Sequence, residues 1–184
     1  MVKISTNERY IHIFELKVFN MKRLNVLFLA CMAIFCSCNQ QAKRAKAYHE
    51  TIYLAVKPVI DSSLDYGDAL NSHLKARAMQ QQQGYARLVD QSIAKVESAG
   101  KFEDDTVLLH YSLETLEFYK NRLDGAFKPF LTHISQESFS DEEARVADSM
   151  FGDFTMMQSR YWERFSWAEK KFDKQFGVAK VEGK

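Results

Sequence analysis

From Ala147 the apolar residues Met150, Phe154, Met157, Tyr161, Phe165, Ala168, Phe172 and Phe176 follow one another at steps of three or four, without interruption for 30 positions. That period places them on one face of a single long helix. Ser140-Asp141-Glu142-Glu143 stands just before the run, with the spacing of a capping box: a serine oxygen for the amide of Glu143 and a glutamate for the amide of Ser140. Gly177 closes it. A helix of this length, roughly 50 Å at 1.5 Å per residue, can bury its stripe only against other long helices.

The preceding chain supplies them. Tyr48, Ile52, Ala55, Val56, Val59, Ile60 and Leu64 predict a first helix fading near Tyr66-Gly67-Asp68. A second is predicted from Ala69 to Ala99, its buried side being Leu70, Leu74, Tyr85, Leu88, Val89, Ile93 and Val96, and its end Gly100. Its middle is weak, because Gln80 to Gln83 and Gly84 stand where the stripe should continue. Asp104 or Asp105 can cap a third helix carrying Leu109, Leu113, Leu116, Leu123, Phe127, Phe130 and Ile134. The seven glycines and two prolines of the whole chain are too little punctuation for an all-β fold. The reading is therefore all-α: an elongated antiparallel up-down-up-down four-helix bundle over residues 47–178, following an N-terminal lipoprotein signal and followed by a polar tail, 179–184.

Within the bundle Ala55-Val56-Lys57-Pro58-Val59-Ile60 matches Ala126-Phe127-Lys128-Pro129-Phe130-Leu131, and at the same offset Tyr48 pairs with Tyr119. Each proline removes an amide donor, so both are expected to kink their helices. Duplication of a helical hairpin would explain the match, although the second and fourth helices do not share it.

The N-terminal end carries different information. Lys22 and Arg23 follow Met21, and a run from Leu24 to Phe35, apolar except for Asn25, ends at Cys36-Ser37-Cys38. A positive start, a short apolar run and a small residue before a cysteine make a signal peptide over 21–37. The run of about a dozen residues falls short of the roughly 20 that a spanning helix needs. Phe35-Cys36-Ser37-Cys38 resembles a lipobox, with cleavage between Ser37 and Cys38 and the Cys38 thiol as the lipid anchor. Cys31 is the runner-up, but it leaves an apolar run of about seven residues, at the lower bound for export. Residues 1–20 are mixed in character and read as an upstream extension, with translation starting at Met21. Residues 38–46 read as a basic tether whose Lys43, Arg44 and Lys46 stand near lipid headgroups.

Removing residues 1–37 takes all but one of the three cysteines, five of the 25 basic residues and two of the 24 acidic ones, leaving a net charge of −2. That balance excludes a nucleic-acid footprint, and a lone alkylated cysteine excludes thiol chemistry and disulfides.

Tyr48 and Ile52, Gly67-Asp68, the Phe102-x-Asp104-Asp105-Thr106 step into a helix containing Glu117-Phe118-Tyr119-Lys120, and the closing Phe172-Asp173-Lys174-Gln175-Phe176 resemble a family of helical surface lipoproteins first recognised in Leptospira. The resemblance spans most of residues 45–178. It implies an envelope location and a helical domain, with no activity attached.

No catalytic residues are predicted. None of His49, His73, His110 or His133 has a glutamate three residues before it, as a di-iron bundle requires. His110, Glu114 and Glu117 share a helix region, where a hydrogen-bonded pair is the simpler expectation than a metal. No haem-attachment, hydrolase or phosphate-loop motif is present, so neither cofactor nor metal is expected. Trp162, Trp167 and Phe151 lie off the stripe of the last helix, and Tyr111 and Phe118 off that of the third. This surplus of rings is either a broad buried face or an aromatic binding face, with Trp162, Phe118 and Tyr85 lining a cavity for a peptide, glycan or lipid. The partners expected are thus the membrane, through Cys38, and an envelope protein or such a ligand.

Overall fold

A computed structural model describes residues 40–178. The described residues from Arg44 onward belong to one compact unit. The described residues form four helical rods. Helix α1 covers residues 40–71 and α2 runs Lys75–Ala99; the third rod joins α3 (Val107–Arg122), a π-helical segment (Leu123–Phe127) and α4 (Lys128–His133); α5 is Asp141–Phe176. No strand occurs among the described residues, only isolated bridges such as Leu74 with Ser138.

Helix α1 begins earlier and ends later than its sequence suggests. The expected tether is helical from residue 40: Ala45 is fully buried, and the Arg44 guanidinium lies 5.8 Å from the centre of the Phe102 ring. At the other end the helix passes straight through Gly67. A Cβ there would stand 2.3 Å from Cζ of Phe151, so this glycine is a place where a ring of α5 presses on the backbone of α1. The turn falls instead at Ser72–Leu74, where His73 adopts a left-handed φ of 54°. Here the Lys75 amide donates to the Glu137 carbonyl and the Phe139 amide to the His73 carbonyl, both at 2.9 Å, fastening the α1–α2 turn to the α4–α5 loop.

The buried stripe of α1 also differs from expectation. It passes through Ser63 and leaves Leu64 exposed at 72 %. Ser63 wins the position because Gln158 of α5 lies opposite and donates to its Oγ at 3.0 Å, while Oγ itself donates to the Ile60 carbonyl. Leu74, expected inside α2, lies in the turn and is 43 % exposed. On α3 the buried face centres on Leu108, Ser112, Thr115, Leu116 and Tyr119, because this rod packs on both α2 and α5; Leu109 and Leu113 are only half-buried.

The helix ends follow the local chemistry. Asp105 caps α3 by accepting from the amides of Val107 and Leu108 at 3.1 and 3.3 Å. Both halves of the capping box are made at Ser140 and Glu143. Gly177 takes the left-handed conformation, and the Val178 amide returns to the Asp173 carbonyl at 3.0 Å, the six-to-one bond of a Schellman turn.

The two prolines behave differently. Pro58 sits in unbroken α-helix, and the carbonyl it deprives belongs to Leu54, a residue 67 % exposed that water can serve. Pro129 follows the π-helical segment, in which the Lys128 amide bonds the Leu123 carbonyl. That carbonyl also accepts from Nε2 of Gln82 at 3.4 Å. The glutamine run that weakens the stripe of α2 thus meets the irregular turn of the neighbouring rod.

Rings fill the interior. Tyr66, Tyr85, Tyr119, Phe127 and Phe154 form a connected cluster with centroid distances of 5.1 to 6.1 Å. The Tyr85 hydroxyl donates to the Val59 carbonyl at 2.6 Å, whereas that of Tyr66 has no partner among the described residues.

Candidate functional site

Ser37, Cys38, the alternative Cys31 and the whole of 21–37 lie outside the described residues, as do 1–20 and 179–184. The three residues expected to line an aromatic cavity do not meet in one. Tyr85 is buried in the ring cluster. Phe118 is 6 % exposed and stacks between Tyr161, at 4.4 Å and 18°, and Phe154, at 5.7 Å and 10°. Trp162 is half-buried beside Phe165. Burial on two sides of the third rod absorbs Phe118, and α2 covers the ring cluster through Tyr85 itself.

An aromatic wall does form, from two of the other rings off the helical stripes. Tyr111 of α3 and Trp167 of α5 pack edge to face, 5.6 Å apart at 83°, and Trp167 remains 52 % exposed. Together with Arg160, Glu163 and Arg164 they line a groove of about 440 Å³. Helical spacing explains the grouping: 160, 163, 164 and 167 share one face of α5. Glu114 holds Arg164 at 2.7 Å, and the Arg164 guanidinium also lies 5.8 Å from the Tyr161 ring centre. Arg160 has no hydrogen-bond or ion-pair partner among the described residues. The Lys171 ammonium approaches the Trp167 ring to 5.2 Å from the following turn and does not line the groove.

His110 is exposed, with its ring against Tyr111, and Glu114 is engaged with Arg164, so the pair expected on this helix is not made. Among the described residues no group of three histidine, cysteine or carboxylate side chains is arranged to hold a metal.

A cluster that the sequence does not announce lies between α1 and α5. Nε2 of His49 is 2.9 Å from Glu169 Oε1. Nδ1 is 2.9 Å from Asp173 Oδ1, which is outside hydrogen-bonding alignment and has no other partner among the described residues. The bond to Glu169, followed by the charges of Asp173, Glu169 and Glu50, lifts the His49 pKa above its usual value against the opposing effect of burial. Burial raises the Asp173 carboxyl, and the charge of His49 offsets part of that rise. These residues are 120 or more positions apart, and the only trace of the cluster in the sequence is the i,i+4 acidic pair flanking Phe172.

A second, polar hollow of about 470 Å³ lies where α2 faces the π-helical segment, lined by Gln82, Gln83, Arg87, Asp124, Lys128 and Thr132 among others. Such segments recur at functional positions in other helices.

Comparison with protein-family models, with curated proteins and with solved structures returns no match for this chain. Among the described residues no helix is long and apolar enough to cross a membrane.

Proposed function

We propose that the chain is a bacterial envelope lipoprotein, acylated at Cys38, whose helical domain works by non-covalent interaction rather than catalysis. The observation that carries this is the ordered sequence of Lys22-Arg23, an apolar stretch from Leu24 broken only by Asn25, and Phe35-Cys36-Ser37-Cys38. Membership of the helical surface lipoprotein family that the sequence resembles, and an outer-membrane location, belong to the same proposal.

The domain is read as an antiparallel up-down-up-down bundle. Contacts between neighbouring rods support this, because numbers rise on one as they fall on the other. His49, Ser63 and Gly67 meet Glu169, Gln158 and Phe151; Asp90 and Gln82 meet Lys120 and Leu123; Tyr111, Glu114 and Phe118 meet Trp167, Arg164 and Tyr161. A closed aromatic interior favours an interaction or structural role over an internal ligand cavity.

The deciding experiment is metabolic labelling of cells with an alkyne fatty acid. The parent chain takes the label and Cys38→Ala does not; a Cys38→Ala chain that is still acylated refutes the anchor. The second reading, a ligand-carrying module, is favoured by the open Tyr111–Trp167 groove.

A further inference from the structure

We propose that the groove between Tyr111 and Trp167 binds an acidic saccharide, with a sugar ring lying on the aromatic wall and its carboxylate taken by Arg160. This gives the ligand-carrying reading a chemical class and rests on it, but it does not depend on acylation.

Three features select that class. The wall is a rigid one, since Tyr111 braces Trp167 edge to face, yet half the indole is open to solvent. A flat ring with an apolar C–H face and polar rim suits such a wall, which offers apolar area without enclosing it. Among the lining residues Arg160 and Arg164 stand against the one carboxylate of Glu163, and Glu114, outside the lining, pairs with Arg164. Arg164 is already held by Glu114, which leaves Arg160 as the guanidinium free to fork onto a carboxylate.

Glu163 decides between an acidic sugar and an acidic peptide. A carboxylate beside Arg160 repels a run of acidic side chains, but it accepts from the hydroxyls that surround the single carboxylate of a sugar acid. The groove is shallow and open, so it offers a seat for one face of a ring and does not enclose a ligand.

The test uses the full chain in detergent, titrated with a galactose tetramer in which one residue is galacturonic acid and with the all-galactose tetramer, by calorimetry and tryptophan emission. The acidic tetramer should bind and change the emission, and the neutral one should bind roughly tenfold more weakly or not at all. Arg160→Gln, at an exposed position, should cost roughly tenfold or more in affinity for the acidic tetramer alone. Trp167→Ala should abolish binding while Trp162 still reports a folded interior. Arg87→Gln, in the other hollow, should bind as the parent does.

Equal binding of the two tetramers, no binding of either, or an Arg160→Gln chain with parental affinity overturns the proposal. So does an aspartate tetrapeptide that binds as tightly and competes. Acylation at Cys38 is read by fatty-acid labelling, so a chain that is labelled but binds no sugar refutes this proposal and leaves the anchor standing.

Discussion

Replacing Gly67 by alanine should destabilise the protein, and the same replacement should stabilise it once Phe151 is also alanine. In the parent, the new methyl would lie 2.3, 2.6 and 3.0 Å from three atoms of the Phe151 ring, all inside ordinary contact distance. Overpacking of this kind costs about 1–3 kcal/mol. Phe151 is half-buried and packs 5.8 Å from Phe154, so its ring can swing outward only by giving up that contact. Against this stands the helix propensity of alanine over glycine, about 1 kcal/mol at an interior position. The net expectation is a loss of about 1 kcal/mol in the parent. With Phe151→Ala in place nothing opposes the propensity term, and Gly67→Ala should gain up to about 1 kcal/mol. The four chains of the cycle, unfolded in urea, give a coupling of about 1–3 kcal/mol in which the cost of losing the ring cancels. A Gly67→Ala penalty that is the same in both backgrounds refutes the close approach as the reason for this glycine.

Two further outcomes follow from the interior. Tyr85→Phe should cost about 1 kcal/mol, because it removes the bond to the Val59 carbonyl, whereas Tyr66→Phe should be neutral or stabilising, since its hydroxyl is buried without a partner; thermal midpoints of the two chains distinguish them. His49 has a folded pKa raised above its unfolded value of 6.5, so its contribution is complete below that value and is lost as pH rises through the folded pKa. The midpoint of the parent should therefore exceed that of His49→Gln most at pH 5 to 6 and converge on it at alkaline pH. Asp173, also raised, acts in the same sense but in a separate window just above 3.8. A difference that does not vary with pH would refute the charged clamp.

Local chemistry determined a great deal. The stripe from Ala147 to Phe176, the capping box at Ser140 and Glu143, the glycines at 100 and 177 and the choice of Asp104 or Asp105 as a cap all depend on residues within a turn or two, and all appear in the helices as the sequence reads. The all-helical fold is legible for the same reason: a period of three and four residues is a property of one segment.

What a helix faces is a property of two. Ser63 rather than Leu64 is buried because Gln158 lies opposite, and Gly67 continues a helix it was expected to end because Phe151 presses on it. Of the surplus rings, Phe118 sinks between Tyr161 and Phe154 while Tyr111 and Trp167 stay at the surface, an outcome set by where the third rod lies between α2 and α5. Spacing along the chain could identify the rings as surplus to one stripe but could not sort them into core and groove. The His49 clamp joins positions 120 apart, beyond the reach of any local pattern. The sequence by itself determined that the chain is helical and how several of its helix ends are capped, and only tertiary packing decided where the α1–α2 turn falls and which side chains are covered or left exposed.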